Sequence, residues 1–343
     1  MAIRAAHAWL PLACASVLLL VAVLGGLSMS SVLRLPAPST PLLEKGGEPT
    51  TAAASVGAAR QLALAEPLGV GRAPLVEPGQ LPLRTAGRWV VDASGRRVKW
   101  ACVNWSGAAQ KDGVPGGLQH QPAEQIAALF AAMGFNCVRV PWSVALVLGP
   151  HEVSDPALLA ANPSLMGLTN LKILDAVVEA CAKARLMVIM DNHMSDPDWC
   201  CSGTDENGLW YNSRWSEQQW LQAHTLIAER YAHQPYVVAQ ELRNELRSAV
   251  INNATLSPTW GNGDPSTDWR LAALKAARAI LVVRLEGCLI VVDGLDYSTN
   301  FVNVADHPIQ LPVADRLVYS AHDYSWSQSV GSQQELNQLL DKH

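Results

Sequence analysis

Val237-Val238-Ala239-Gln240-Glu241-Leu242-Arg243-Asn244-Glu245 is a short apolar run that ends in polar residues. Val237 to Leu242 reads as a buried strand, and Arg243, Asn244 and Glu245 fall just past its C-terminal end. The same pattern repeats on either side. Upstream lie strands Trp100 to Asn104, Cys137 to Val140 and Leu186 to Asp191. Downstream lie strands Leu289 to Asp293 and Leu317 to His322. Helical segments separate them. Gln121 to Met133 places Ile126, Leu129, Phe130 and Met133 at i, i+3, i+4 and i+7, with Pro122 near its start and Gly134 closing it. Asn170 to Ala184 gathers Leu174, Val177, Val178 and Cys181 on one face. Ser216 to Ala232 opens with a Ser216/Gln219 capping-box pattern, and Asp268 to Arg284 completes the set. Ahead of them, Trp89-Val90-Val91 and Val98-Lys99-Trp100 flank Asp92 to Arg96 and read as a hairpin.

Short apolar strands alternating with helices predict an α/β chain with a parallel sheet. A doubly wound sheet and a barrel share that pattern. The polar residues favour the barrel: Asn104, Arg139, His193, Glu245 and His322 all sit at or just past strand C-termini, where eight-fold barrels collect their chemistry. The expected fold is a (β/α)8 TIM barrel with about six of its eight strands present, over residues 84–343.

The preceding residues read differently. Ala8 to Leu27 is an apolar run of about 20 residues, bracketed by Arg4 and Arg34. Residues 1–30 are expected to be a signal anchor or a signal peptide. The length of the run, with no clean Ala-x-Ala site after it, favours the anchor. Residues 31–83, rich in Pro, Ala, Gly and Leu and without period, read as a linker. Either reading sends the domain into the secretory pathway, membrane-anchored through the N-terminal helix or secreted.

Composition narrows the partners. The net charge of -5 over 343 residues argues against nucleic acid, which needs a basic face. Twelve Trp against three Phe suggests flat faces for stacking on sugar rings, although Trp in cores is commoner. The seven Cys form no zinc-like pairs. Cys102 and Cys137 read as packed thiols, and one of Cys200 and Cys201 as a partner for a distant Cys. A metal cluster of Asp191, His193, His322 and Asp323 is disfavoured, because no HExxH or paired-His spacing accompanies it. Gly-rich phosphate loops are absent, so nucleotide binding is not expected, and no cofactor is assigned. Asn253-Ala254-Thr255 is a glycosylation sequon, and Asn104-Trp105-Ser106 matches the pattern inside the expected site.

Glu245 preceded by Asn244 suits glycosidic cleavage, with a carboxyl to protonate a leaving oxygen and an amide for the sugar 2-hydroxyl. The alternative for Glu245 is a helix N-cap, or a salt bridge to Arg243 or Arg247.

From Leu83 to about Trp326 the chain resembles glycoside hydrolase family 5, the cellulase-like retaining β-glycosidases. The resemblance rests on six segments in the family's order: Gly95 to Gly107; Gly134-Phe135-Asn136-Cys137-Val138-Arg139-Val140-Pro141; Met190-Asp191-Asn192-His193; Trp199-Cys200-Cys201 with Asn207-Gly208-Leu209-Trp210; Glu241 to Arg247; and Leu317 to Tyr324. It departs from the commonest motif at Leu246, where many members carry Pro. The resemblance implies Glu245 as general acid/base and Asn244 as sugar ligand. Arg139 would orient the nucleophile, His193 and His322 would bind sugar hydroxyls, and Tyr324 would hydrogen-bond the nucleophile. Trp105, Trp142, Trp199, Trp210 and Trp326 become candidates for stacking, and the partner a β-linked oligo- or polysaccharide.

The resemblance also demands a glutamate nucleophile ending a seventh strand. Gln333 to Leu340 reads as the helix after strand six, so the barrel is expected to be truncated before strand seven, with the nucleophile absent. Asp191 and Asp323 end the wrong strands. Open sheet edges invite aggregation, which favours a longer native chain over an inactive remnant. The expected function is retaining hydrolysis of a β-linked glycan. The alternatives are a non-catalytic carbohydrate-binding or vestigial barrel, and an unrelated barrel enzyme in which Arg139, Asn244, Glu245 and His322 do not converge.

Overall fold

A computed structural model describes residues 73–198, 204–284 and 287–324. The N-terminal segment, the linker up to residue 72, Trp199, Cys200, Cys201, Trp326 and the 333–340 segment lie outside the described residues. Among the described residues, no helix is long and apolar enough to cross a membrane.

Six parallel strands form one sheet. They are β3 (Cys102–Asn104), β4 (Cys137–Ser143), β5 (Met187–Met194), β6 (Val237–Glu241), β9 (Leu289–Asp293) and β10 (Leu317–Ser320), hydrogen-bonded in that order. Helices α1 (Ala123–Ala132), α3 (Asn170–Lys183), α4 (Glu217–Arg230) and α5 (Trp269–Val283) provide crossovers. Their starts are written in the sequence. The Thr169, Ser216 and Asp268 side chains each accept the backbone N–H three residues on, and Gln219 answers Ser216 to complete the capping box.

The central strands β4, β6 and β9 are buried on both faces, so their runs are mostly apolar and turn polar toward the mouth. Their pleat nevertheless sorts side chains with a period of two. Val138, Val140, Val188, Met190, Ile290 and Val292 pack in the core that holds the helices. Cys137, Met187, Ile189, Ala239, Leu289 and Val291 form a second cluster on the inner face. Two residues on in the same parity come Arg139, Asp191, Glu241 and Asp293. A single alternation therefore builds an apolar floor and a charged mouth.

The floor is closed from below. Val76 and Leu83 are buried in the inner cluster, with Leu81, Val90, Val98 and Trp100 packed against it. Asn136 Nδ2 donates to Pro74 O and Lys99 O, and Tyr236 Oη donates to Val76 O. Residues 73–83, assigned by composition to the linker, thus belong to the packed domain. A few apolar anchors in a Pro-rich stretch without period are enough to dock it.

Other expectations shift. The hairpin pairs β1 (Arg84–Ala86) with β2 (Trp89–Val91), and residues 98–100 contribute only a backbone bond from Val98 to Val90 after an isolated bridge at Arg97. Turn geometry decides this: Gly87 takes φ +56° in the connection. Helix α2 (Val144–Leu148), capped by Ser143, and the antiparallel pair β7 (Ala249–Ile251) and β8 (Ala254–Leu256) were not expected. Asn252 and Asn253 turn the latter at φ +50° and +64°, a conformation Asn tolerates. The Asn253 sequon therefore sits on an exposed two-residue turn.

Cys102 and Cys137, expected as thiols, are bonded as a disulfide. They are direct partners in the β3–β4 register, which brings their Cα atoms to 4.2 Å. Cys181 and Cys288 are free and buried, and burial pushes the Cys181 thiol up to about 12. Behind the sheet, His224 Nε2–H donates to Leu242 O at 2.9 Å and Nδ1 lies 3.2 Å from Gln240 Oε1. Burial pushes this imidazole down to about 4. A neutral ring needs a donor at Nδ1, and the Gln240 NH2, otherwise without a partner, supplies it when turned toward the ring.

Candidate active site

The charged mouth is organised around Arg139 on β4. Its Nε donates to Glu241 Oε2 at 2.7 Å and its Nη2 to Oε1 at 2.5 Å. Nη2 also donates to Asn244 Oδ1 at 2.9 Å, and Nη1 lies 3.0 Å from Asp191 Oδ2. Burial works against this cation, but the Asp191 and Glu241 carboxylates outweigh it and raise the guanidinium above its usual range. Burial likewise disfavours the Asp191 anion, yet Arg139 and then His193 hold its carboxyl below the ordinary value. His193 Nδ1–H donates to Asp191 Oδ2 at 2.6 Å, which fixes the ring and directs Nε2 the other way.

Glu245 follows β6 on a turn where its own φ is +47°. It is 6% exposed. His322 Nδ1–H and the Tyr324 hydroxyl both donate to Oε1, the former at 2.8 Å. Arg247 Nη1 donates to the Glu245 backbone carbonyl at 3.3 Å, and the described side-chain bonds of Arg243 and the ion pair of Arg247 go to other groups. Arg243 donates to Asn207 O at 2.6 Å, and Arg247 forms a paired bond with Asp205 at 2.9 and 3.1 Å. The salt-bridge alternative for Glu245 gives way to contacts made across the barrel mouth.

Two bonded sets thus face one mouth, Arg139 with His193 (through Asp191) and Asn244, and Glu245 with His322 and Tyr324, with Glu241, Asp293 and His322 side by side between them. The arrangement can present a carboxyl, an amide NH2 and two imidazoles to one polar ligand. Because Arg139 takes Asn244 Oδ1, the Asn244 NH2 is the group left to meet that ligand.

A match to the Cellulase family, glycosyl hydrolase family 5, runs over residues 91–343. The chain belongs to glycosyl hydrolase family 5. It is 34% identical over 262 residues to a glycosyl hydrolase 5 family protein of Chamaecyparis obtusa, covering 72% of this chain and 44% of that protein. It is 32% identical over 251 residues to an endoglucanase of Paenibacillus polymyxa, covering 70% and 59%. The chain therefore spans about half the length of these curated relatives. Among solved structures, an endocellulase of Pyrococcus horikoshii in complex with cellotetraose superposes with a TM-score of 0.65 at 26% identity, covering 78% of this chain and 77% of that one. These likenesses support the (β/α)8 barrel, of which the six parallel strands form a half-barrel.

Within this family-5 barrel several expectations need correction. Trp105 is 3% exposed, its Nε1–H donates to Gly116 O at 2.8 Å, and its ring meets Phe130 edge-on. It has no open face for a sugar. Trp142 and Trp210 are fully buried as well. Size and apolar area draw indoles into cores unless a groove is built for them. Arg139 holds Glu241, Asp191 and Asn244, contacts that leave its expected role toward a nucleophile untested. Tyr324 meets Glu245.

Two carboxyls were missed as members of the site, Glu241 and Asp293. Their signal was present, since each ends its strand in the inward parity. Asp191, considered from sequence only as a metal ligand or nucleophile, joins them as a partner of Arg139. The group with metal-like spacing among the described residues is Glu241, Asp293 and His322, not the cluster weighed from sequence. Arg139 already occupies both oxygens of Glu241 and supplies the positive charge there.

Proposed function

We propose that this chain carries the acid/base half of a β-glucan hydrolase, cleaving the glycosidic bonds of a cellulose-like β-linked glycan with retention. The observation that carries the reading is the convergence of Glu245, Asn244, Arg139 and His322 at one strand-end mouth. The cellotetraose complex of the Pyrococcus endocellulase supports a β-glucan oligosaccharide as ligand.

In this reading Glu245 gives its proton to the leaving glycosidic oxygen and later takes one from water. Asn244 Nδ2–H donates to the sugar 2-hydroxyl at the cleaved bond, a contact that strengthens as the ring flattens. His193 and His322 bind further hydroxyls, and Tyr324 steadies the Glu245 carboxyl. Retention requires a second carboxyl about 5–5.5 Å from the acid/base. Asp191 and Glu241 are engaged with Arg139, so neither is assigned that role. The Cys102–Cys137 bridge supports work in an oxidising, secretory compartment.

The test is Glu245→Gln in the whole protein, assayed on a soluble β-glucan, with the anomeric form of the first product read by NMR. The reading expects turnover to vanish while the thermal transition holds, and the wild-type product to keep the β configuration. Sugar binding without hydrolysis by the wild type, or undiminished turnover by Glu245→Gln, overturns it.

A further inference from the structure

Glu245 must be held in place by something. A non-glycine residue in the left-handed region costs roughly 1–2 kcal/mol. Such a conformation persists only where its surroundings over-determine it. The neighbouring backbone is tied on both sides, with Asn244 N–H donating to Asn192 O and Arg247 N–H to Gly208 O. The N–H of Glu245 itself meets a side chain. It donates to Oδ2 of Asp293, at 3.0 Å.

Asp293 is well placed for more than one bond. It is the last residue of β9, 0% exposed, on the strand next to β6. Its own carbonyl accepts Trp269 Nε1–H at 2.9 Å, which locks the strand end against α5. The same Oδ2 that takes the Glu245 N–H lies 3.7 Å from His322 Nε2. His322 in turn donates to the Glu245 carboxylate from its other nitrogen. One buried oxygen therefore faces both the backbone of Glu245 and the ring that touches its carboxyl.

We propose that Asp293 is a positioning residue for Glu245, fixing the left-handed turn from which that carboxyl projects and aligning the His322 imidazole that bonds it. The assignment rests on the reading of Glu245 as acid/base. It gives a role to a buried carboxyl that the proposed chemistry does not otherwise use.

The charge balance agrees. Burial and then the Glu241 carboxylate push the Asp293 carboxyl well above its ordinary range, with Arg139 opposing. The charged and titratable groups around it come from every adjoining element: Arg139 on β4, Asp191 and His193 on β5, Glu241 on β6, Glu245 beyond it, and His322 after β10. A proton on Oδ1, which has no partner among the described residues, leaves Oδ2 as an acceptor for the Glu245 N–H. Asp293 can thus hold the turn whether or not it carries charge, which sets it apart from Glu241 and Asp191.

The experiment compares Asp293→Ala with Asp293→Asn in the full chain. Asn keeps an oxygen that can accept the N–H and lacks the charge. The first readout is the backbone amide 1H–15N resonance of Glu245, assigned by 15N-Glu labelling and its loss in Glu245→Gln, which reports the bond to Asp293. The second is kcat and KM for β-glucan hydrolysis. Asp293→Ala is expected to displace that resonance, and to lower kcat about 10–100-fold with KM within about two-fold. Asp293→Asn is expected to restore most of both. A folded Asp293→Ala whose Glu245 amide resonance and kcat match wild type overturns the proposal, and so does an Asp293→Asn no better than Ala. If Ala fails to fold, Asp293→Ser is read against Asn in the same way. If the wild type does not hydrolyse glucan, the hydrolase reading falls by itself, and the amide resonance still decides whether Asp293 positions Glu245.

Discussion

Arg139 and Glu241 meet side-on, with Nε 2.7 Å from one carboxylate oxygen and Nη2 2.5 Å from the other. The two residues are 102 positions apart in sequence and lie on strands separated by β5. A planar guanidinium matched to a planar carboxylate is a charge-assisted, bidentate contact. Here it also spans Asp191 and Asn244, so one side chain ties three strand ends together.

Breaking that pair from one side leaves buried carboxylates without a counter-charge. Arg139→Met is expected to cost about 3–5 kcal/mol in urea unfolding. Arg139→Met combined with Glu241→Gln is expected to recover part of the loss, because the uncompensated anion goes with it. A double variant less stable than Arg139→Met would show that Glu241 is held by more than the arginine.

His224 sets a pH dependence. Its folded value near 4 lies below the ordinary 6.5. Between those values the unfolded chain binds a proton that the folded one refuses, so stability rises with pH across the window. The contribution is full above about pH 6.5 and lost by about pH 4, roughly 3 kcal/mol in all. Wild type minus His224→Gln, followed by unfolding at a series of pH values, should trace that curve. A flat difference would mean the ring is not buried neutral.

The Cys102–Cys137 bridge closes a segment with a sequence separation of 35. Constraining the unfolded chain over that length is worth about 4 kcal/mol in the chain-entropy account. A reductant should lower the unfolding midpoint of the wild type and leave Cys102→Ala/Cys137→Ala unmoved. Equal responses would place the sensitivity elsewhere.

Gly208 lies where the 204–212 loop crosses the turn after Glu245. A Cβ there would stand 2.5 Å from Arg247 O and 2.8 Å from Ala249 Cβ. A contact with backbone cannot be relieved by a rotamer. Gly208→Ala is expected to destabilise by about 1–3 kcal/mol and to reduce kcat/KM on β-glucan about ten-fold or more. Unchanged kinetics would separate the loop from the site.

Much of this arrangement was legible in the residues. Runs such as Leu289–Asp293 are short and apolar, and the caps at Ser216 and Asp268 mark their helices. The strand-end position of Arg139, His193 and His322 pointed to a barrel mouth before any coordinate was known. What stayed hidden was pairing across the sheet. Cys102 and Cys137 look like core thiols until the register sets them opposite each other. Asp293 reads as the end of a strand, and only the β6–β9 neighbourhood reveals whose N–H it meets. Trp105 carries the chemistry for a sugar platform, and packing against Phe130 decides otherwise.

Cys181 and Cys288 offer a built-in clock. Each is completely enclosed, one on α3 and the other leading into β9. A thiol held far above neutral pH and out of reach does not react with an alkylating reagent. Either sulfur is labelled only when the molecule opens around it. The pace of labelling therefore counts opening events without any engineered reporter residue. Comparing the two sites tells whether the β4–β5 side and the β9–β10 side of the sheet come apart together or one before the other.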